Sequence, residues 1–237
     1  IGNLEIGCIE TISTLYVDDN GAPNGTGTIE NPLNDLQNGM YDLFINDTIF
    51  IASGDYELEY VLHIKPSTII GEDSSNTVIY FNGETSGQPL FSSSAYSDYN
   101  PAIYSFKQLK FNVVHENPAS FGFNTYYGTF NFDKCVFYNF DGAQRLFSVH
   151  DADLNISNSL FNTNADYSLV YGQTNADVYS TNNEFLQNYV EFTGIDTLAI
   201  NNQIFENISI ATYAQYLNLS NSTVSNCYAN FEGDASH

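Results

Sequence analysis

Basic residues are nearly absent. The 237-residue chain has five Lys plus Arg against 28 Asp plus Glu, a formal net charge of −23 at pH 7. A surface of that sign repels phosphate backbones, which argues against any nucleic-acid partner. It suits divalent cations, high salt or a cell exterior. No apolar run reaches the roughly 18 residues a membrane-spanning helix needs, so no transmembrane segment is expected. No basic-then-apolar leader opens the sequence, so a secretion signal, if one existed, is expected to have been removed. Cysteine is scarce: Cys8, Cys135 and Cys227, without a CxxC pair, which argues against zinc. An odd count leaves a thiol free or intermolecular. Cys8 and Cys227 lie near the two ends and are the candidates for an intermolecular disulfide.

What is present is a repeat. Five segments align: "FNFDKCVFYN" from Phe130, "LNISNSLFNT" from Leu154, "VYSTNNEFLQ" from Val178, "LAINNQIFEN" from Leu198 and "LNLSNSTVSN" from Leu217. "YSFKQLKFNV" from Tyr104 fits one unit earlier. The first position is apolar or aromatic throughout: Tyr104, Phe130, Leu154, Val178, Leu198, Leu217. So is the eighth: Phe111, Phe137, Phe161, Phe185, Phe205, Val224. The tenth is mostly amide or hydroxyl: Asn139, Thr163, Gln187, Asn207, Asn226. Units this short cannot each close a core. Stacked about 4.8 Å apart they can, with Phe on Phe inside and amides satisfying one another at the turns. The segments carry β-branched, aromatic and Asn residues without helical periodicity, which excludes a leucine-rich repeat. The expected fold is all-β, a single-chain right-handed parallel β-helix of roughly eight coils, about 40 Å long.

The first half agrees. Ile49 and Ile51 alternate, and a turn is expected at Gly54-Asp55. Short strands are expected around Leu62–Ile64, Thr68–Ile70 and Val78–Phe81, with Pro66 between strands, where its missing N–H does no harm. The stretch "STLYVDDNGAPNGTGTIENPLNDLQNGM" (Ser13–Met40) is neither a phosphate loop, having no Lys after its glycines, nor a dinucleotide fingerprint. Asp18, Asp19 and Asn20 are hard oxygen ligands before a Gly turn, the candidate calcium site, though without the bidentate Glu of an EF-hand. The remainder reads as a cap. Asn31 is the expected N-cap and Pro32 the first helical residue, with Leu33, Leu36, Met40 and Leu43 at helical spacing over residues 32–43. An open solenoid end needs such a cover. Residues 1–46 are thus the N-terminal strand, loop and capping helix, and 47–237 the coils of one domain.

The segment "LYVDDNGAPNGTGTIENPLNDLQNGM" followed by "NDTIFIASGDYE" resembles the start of right-handed parallel β-helix proteins of the pectate-lyase-like superfold. Asn46 stands where those proteins usually have Gly. The acidic, Asn- and Tyr-rich composition is most similar to the adhesin-like surface proteins of methanogenic archaea. That resemblance implies secretion and a place on the cell envelope.

The superfold also hosts lyases and hydrolases. Lyase chemistry in it uses a Lys or Arg base with acidic calcium ligands, and here Arg145 is the single arginine beside four lysines. The hydrolase signatures NTD, DD, GHG and RIK are missing as a set. If the chain is an enzyme, a polysaccharide lyase or glycoside hydrolase, the candidates are His150, Asp151, Asp153, Asp177 and Arg145, with Asp177 one coil after Asp153. The alternative is a non-catalytic extracellular envelope protein, adhesive or structural, contacting cell-surface glycans or proteins or self-associating through its ends. Tyr has a flat apolar face and a polar tip suited to such contact. The clusters single out Tyr96, Tyr99, Tyr126, Tyr127, Tyr167 and Tyr171. Six N-x-[ST] sequons, at Asn24, Asn46, Asn155, Asn207, Asn218 and Asn221, are about what this composition yields by chance. No cofactor is called for beyond calcium at the opening loop. The weight of these residues favours the non-catalytic reading.

Overall fold

A computed structural model describes residues 14–58, 62–81, 89, 91–93, 102–113, 122–138, 145–162, 168–186, 189–206, 209–225 and 229–232. A central coil shows how the chain winds. The strand Arg145–Ser157 supplies two faces, because Asp151 takes a left-handed φ of 47° and turns the chain between residues 145–150 and 152–157. Leu160–Asn162 then makes a third face. The next coil repeats this with Ser168–Gln173, Asp177–Thr181 and Glu184–Phe185. Every pairing is parallel and in phase: Phe147 with Val170, Leu154 with Val178, Phe161 with Phe185. Faces one and two merge into a 13-stranded sheet, and the third face is a six-stranded plus a two-stranded sheet, eight strands in all. The chain is a parallel β-helix; among the described residues its third face stacks eight strands, in keeping with the roughly eight coils that the repeat length implies.

Stacked side chains fill the interior. The eighth-position rings Phe111, Phe137, Phe161, Phe185 and Phe205 form one column, with successive centroids 5.6, 4.8, 4.9 and 5.5 Å apart. Tyr104 lies on Phe130 at 4.4 Å and Phe106 on Phe132 at 4.7 Å. On the first face Phe91, Phe123 and Phe147 stack at 5.2 Å each. Strand spacing alone sets these distances, so a like residue at a like position gains offset-stacked contact as well as burial. The columns fade at the last rung. Leu217 is only partly buried and Val224 is 40% exposed, whereas the repeat places both inside, because no further rung covers the second and third faces there among the described residues.

The corner between the second and third faces carries an amide ladder at the fifth repeat position. Gln108, Lys134, Asn158, Asn182, Asn202 and Asn221 all have φ between 49 and 55°. Asn tolerates that left-handed conformation best among residues with a side chain. Asn158 Nδ2 donates to Asp133 Oδ1 (2.7 Å), Asn182 Nδ2 to Asn158 Oδ1 (2.6 Å) and Asn202 Nδ2 to Asn182 Oδ1 (3.2 Å). One residue later an inward polar row bonds backbone on the neighbouring coil. Cys135 N donates to Ser159 Oγ (3.1 Å) and Ser159 N to Asn183 Oδ1 (2.8 Å). The expected tenth-position ladder falls on residues outside those described.

At the N-terminal end the strand β1 (Thr14–Val17) pairs with Thr48–Ile51 on one side. On the other, the loop closes its edge: Tyr16 N donates to Gly27 O (2.9 Å), Leu33 N to Tyr16 O (2.9 Å) and Asp18 N to Leu33 O (2.8 Å). This overturns the expected helix start. Asn31 is no N-cap and Pro32 no first helical residue, because the segment through Leu33 serves as an edge partner of β1. The helix α1 is Leu36–Asp42, capped by Asp35, whose Oδ1 accepts from Gln37 N (2.8 Å) and Asn38 N (3.2 Å). Its apolar side is as expected, with Leu36, Met40 and Leu43 buried over the core. Lys65 Nζ donates to the carbonyl of Leu43, just past the helix end. Gly54-Asp55 is likewise not a turn but the start of the strand Gly54–Leu58; the chain bends at residues 52–53.

Candidate functional site

The outer side of the first face gathers several of the candidate residues. Parallel register places Asn124, Ser148 and Tyr171 in one column and Tyr126, His150 and Gln173 in the next. The Tyr126 ring stacks on the His150 imidazole with centroids 4.3 Å apart and planes 15° from parallel. Tyr127 follows with φ 53° and is 43% exposed, its ring 6.3 Å from that of Tyr126. The Arg145 guanidinium lies over the Tyr171 ring, 3.4 Å from its centroid, a cation–π pair. A 2.9 Å hydrogen bond joins Ser148 Oγ and His150 Nε2. Burial holds His150 below the ordinary imidazole pKa, and the Arg145 charge adds to that, against Asp151 and a hydrogen bond with Gln173. That direction favours the neutral imidazole at neutral pH. Ser148 is completely buried, so the Ser–His pair is out of reach of a substrate carbonyl. The side chains gathered here present aromatic and hydrogen-bonding groups and the Arg145 cation.

The acids are elsewhere. Asp151 is the corner residue, and its carboxylate accepts from Asn175 Nδ2 (2.8 Å) and Thr174 Oγ1 (3.3 Å) on the next coil. Asp153 and Asp177 are direct register partners on the second face, between Thr129 and Thr197. Burial raises the Asp153 pKa, the Asp177 charge raises it further, and the Thr129 hydroxyl opposes by hydrogen bonding. The groups acting on His150 and those acting on Asp153 do not overlap. The turn at Asp151 thus divides the five catalytic candidates between two faces. Sequence reading had not selected Ser148, Gln173 or Thr129. The 24-residue offset that links Asp153 to Asp177 also links Asn124 to Ser148 and Tyr126 to His150, and extending it upstream would have found this surface.

In the opening loop, Asp18 Oδ1 accepts from Asn20 N (2.9 Å) and Asp19 Oδ2 from Asp55 N (3.3 Å), while Asn20 Nδ2 donates to Asp19 Oδ1. The carboxylates thus hold the turn and tie it to the strand Gly54–Leu58. Among the described residues no group of three His, Cys, Asp or Glu is placed to hold a metal ion. A cleft of about 530 Å³ beside them is lined by Asp19, Asp35, Asp55, Tyr56 and Glu57. Of the sequons, Asn24, Asn46 and Asn218 are exposed. Asn155 Nδ2 donates to Asn131 Oδ1 (3.0 Å) and Asn221 Nδ2 to Asn201 Oδ1 (3.1 Å), bonds that a glycan on either nitrogen would disturb. Cys135 is buried, and burial raises its thiol pKa to about 12. Tyr96, Tyr99, Tyr167, Asn207, Cys8 and Cys227 lie outside the described residues. No helix among the described residues is long and apolar enough to cross a membrane.

No family model matches the chain, and no curated protein matches it. Two solved structures align along most of its length. Geobacillus virus E2 ORF18 does so over 93% of this chain and 61% of its own, at 11% identity and a TM-score of 0.43. A rhamnogalacturonan lyase does so over 94% and 63%, at 13% identity and a TM-score of 0.24. The chain therefore spans less than two thirds of either protein. The assignment of the fold rests on the coil topology itself.

Proposed function

We propose that this chain is a non-catalytic extracellular protein of the cell envelope that acts by contact, with the first face as its binding surface. One observation carries the reading: Tyr126, His150, Arg145 and Tyr171 share the outer side of one sheet face with Tyr127 at its corner, while the carboxylate pair Asp153 and Asp177 lies beyond the Asp151 turn. Flat aromatic faces beside amide, hydroxyl and guanidinium donors suit a glycan or a polar protein surface. The secreted, envelope-bound setting comes from the acidic, Asn- and Tyr-rich composition that resembles methanogen adhesin-like proteins, and it is part of the proposal. The test is a panel of neutral and uronate polysaccharides, scored for both binding and products. Binding that weakens about tenfold or more in Tyr171→Ala or Tyr126→Ala, with no unsaturated or reducing ends released, is the expected result.

A second reading has one observation in its favour. Asp153 and Asp177 are adjacent carboxylates, one with a raised pKa, the pattern of an acid and its ionised partner in glycoside hydrolysis. Release of reducing ends, abolished by Asp153→Asn but not by Tyr171→Ala, would establish that reading and overturn the first.

A further inference from the structure

We infer that the corner between the second and third faces, around Lys107, Lys110 and Lys134, is an anion-binding surface that takes sulfate groups carried on a glycan. The basis is where this acidic chain places its few cations.

Three of its five basic residues gather at this one corner. Lys107 ends the second-face strand Ile103–Lys107, and Lys110 opens the third-face strand Lys110–Val113 of the same coil. Lys134 is the corner residue of the next coil, about 4.8 Å along the axis from the corner residue Gln108. Lys107 and Lys134 are exposed. Lys110 is half-buried, its ammonium 4.9 Å from the centroid of the Tyr138 ring. The other two cations are engaged elsewhere, Lys65 at the Leu43 carbonyl and Arg145 over Tyr171.

Among the described residues no carboxylate is bonded to the three lysines. The register partners of Lys110 are Val78 and Val136, and those of Lys107 are Ile70 and Asp133. Asp133 turns to the following coil, where its Oδ1 accepts from Ser157 Oγ (2.8 Å) and Asn158 Nδ2 (2.7 Å). On the preceding coil Glu72 Oε2 accepts from Ser53 N (3.0 Å), and Asp73 accepts from Ser75 N (2.9 Å) and Asn76 Nδ2 (2.7 Å). Each acid beside the corner is thus held by neutral donors.

Lys134 is also a costly residue for its position. The corner needs a left-handed φ and an amide that bridges to the next coil, which Asn158, Asn182 and Asn202 supply. Lysine takes the same conformation, at φ 54°, with no acceptor to offer. Asn158 therefore bonds Asp133, and the amide ladder does not continue through Lys134. What the position has in exchange is a charge held at the surface.

The chemistry of the patch selects its ligand. A planar carboxylate is best met by the arginine fork, and this corner has no arginine. Ammonium groups on long flexible stems suit a tetrahedral oxyanion. At physiological ionic strength, charges farther than about 8 Å away are screened, so a sulfate at the corner is shielded from most of the acidic surface. Nucleic acid would not be, because its closely spaced phosphates would pass over the flanking acids. A sulfated glycan separates its charges with neutral sugar. The adjoining third face carries Tyr80, Asn112, Tyr138 and Asn162 in one outward column, rings and amides suited to that sugar. This surface is separate from that of Tyr126 and Tyr171, so the inference does not rest on the contact reading of the first face.

Binding assays on the 237-residue chain test it, with a sulfated galactan oligosaccharide, the same oligosaccharide desulfated, polygalacturonate and single-stranded DNA as probes. The expected result is binding of the sulfated galactan in preference to the other three, weakening as salt is raised. Lys134→Asn and Lys107→Gln should each weaken it by about threefold or more, and the two together by about tenfold or more. Lys134→Asn installs the preferred corner residue, so its thermal midpoint should not fall and lost binding cannot be laid to unfolding. The same variant should not alter any neutral-glycan binding that Tyr171→Ala weakens, which keeps the two surfaces distinguishable. No binding of the sulfated probe in low salt overturns the inference. So does equal binding of its desulfated form, tighter binding of polygalacturonate or DNA, or binding that survives both lysine substitutions.

Discussion

Asp153 and Asp177 put two like charges on adjacent rungs, partly withdrawn from water. The folded Asp153 carboxyl keeps its proton to a higher pH than the unfolded one. The ionised pair therefore weakens the fold above the ordinary Asp range, and the penalty fades as pH falls through the raised value. Asp153→Asn is expected to stabilise the protein at neutral pH by a few tenths to about 1 kcal/mol, the scale of a cross-strand charge contact, and to make little difference in acid. Urea denaturation midpoints across pH measure this. His150 has the opposite sign of dependence. Its folded pKa is lowered, so its contribution is fully present above the imidazole range and is lost as pH falls below the ordinary value of 6.5. An NMR titration of His150 should give a midpoint below 6.5.

At the scale of the element, the second-to-third-face corner shows why this chain uses so much asparagine. Each corner needs one residue at φ near 50° and an axial hydrogen-bond partner one coil away. Asn meets both needs with a single side chain. Asn182 donates to Asn158 and accepts from Asn202. Asn182→Ala loses both bonds and forces an alanine into the left-handed region, a loss of roughly 2–3 kcal/mol. Asn182→Gly keeps the backbone conformation and loses only the bonds, about 1 kcal/mol. Thermal melts of the two variants should rank in that order, with alanine the worse. The reverse ranking would mean that the side-chain ladder, rather than the backbone conformation, dominates the corner.

The whole molecule is close to one-dimensional, since each coil touches only its neighbours. Phe161 stacks on Phe137 and Phe185 in the middle of the longest ring column. Phe161→Ala is expected to lower the unfolding free energy by about 3–5 kcal/mol and to uncouple the coils on either side. Hydrogen exchange should then report faster opening on the C-terminal side, where the wild-type coils are least covered. In the unaltered chain, amides of 214–220 should already exchange faster than those of 129–133. Equal protection of the two segments would contradict the greater exposure of Leu217, Leu219 and Val224.

The period of the sequence was enough to determine the coil, its inward columns and the presence of a covering helix. Residues a coil apart are axial neighbours, and their likeness is visible as a repeat: Phe111, Phe137, Phe161, Phe185 and Phe205 could be stacked from spacing alone. The corners were less legible. The left-handed turn between the first two faces is made by Tyr127 and Gly128, Asp151, Asn175 and Gly194 in successive coils, residues with no common sequence signal. The division of His150 from Asp153 follows from that turn and became visible only in three dimensions. The same holds for the helix start: Asn31-Pro32 has the local chemistry of an N-terminus, but the open edge of β1 claims Leu33, and Asp35 caps the helix instead. Local propensity is a matter of tenths to about 1 kcal/mol per residue. An unpaired strand edge or an uncovered core outweighs it, and neither can be counted until the coils are stacked.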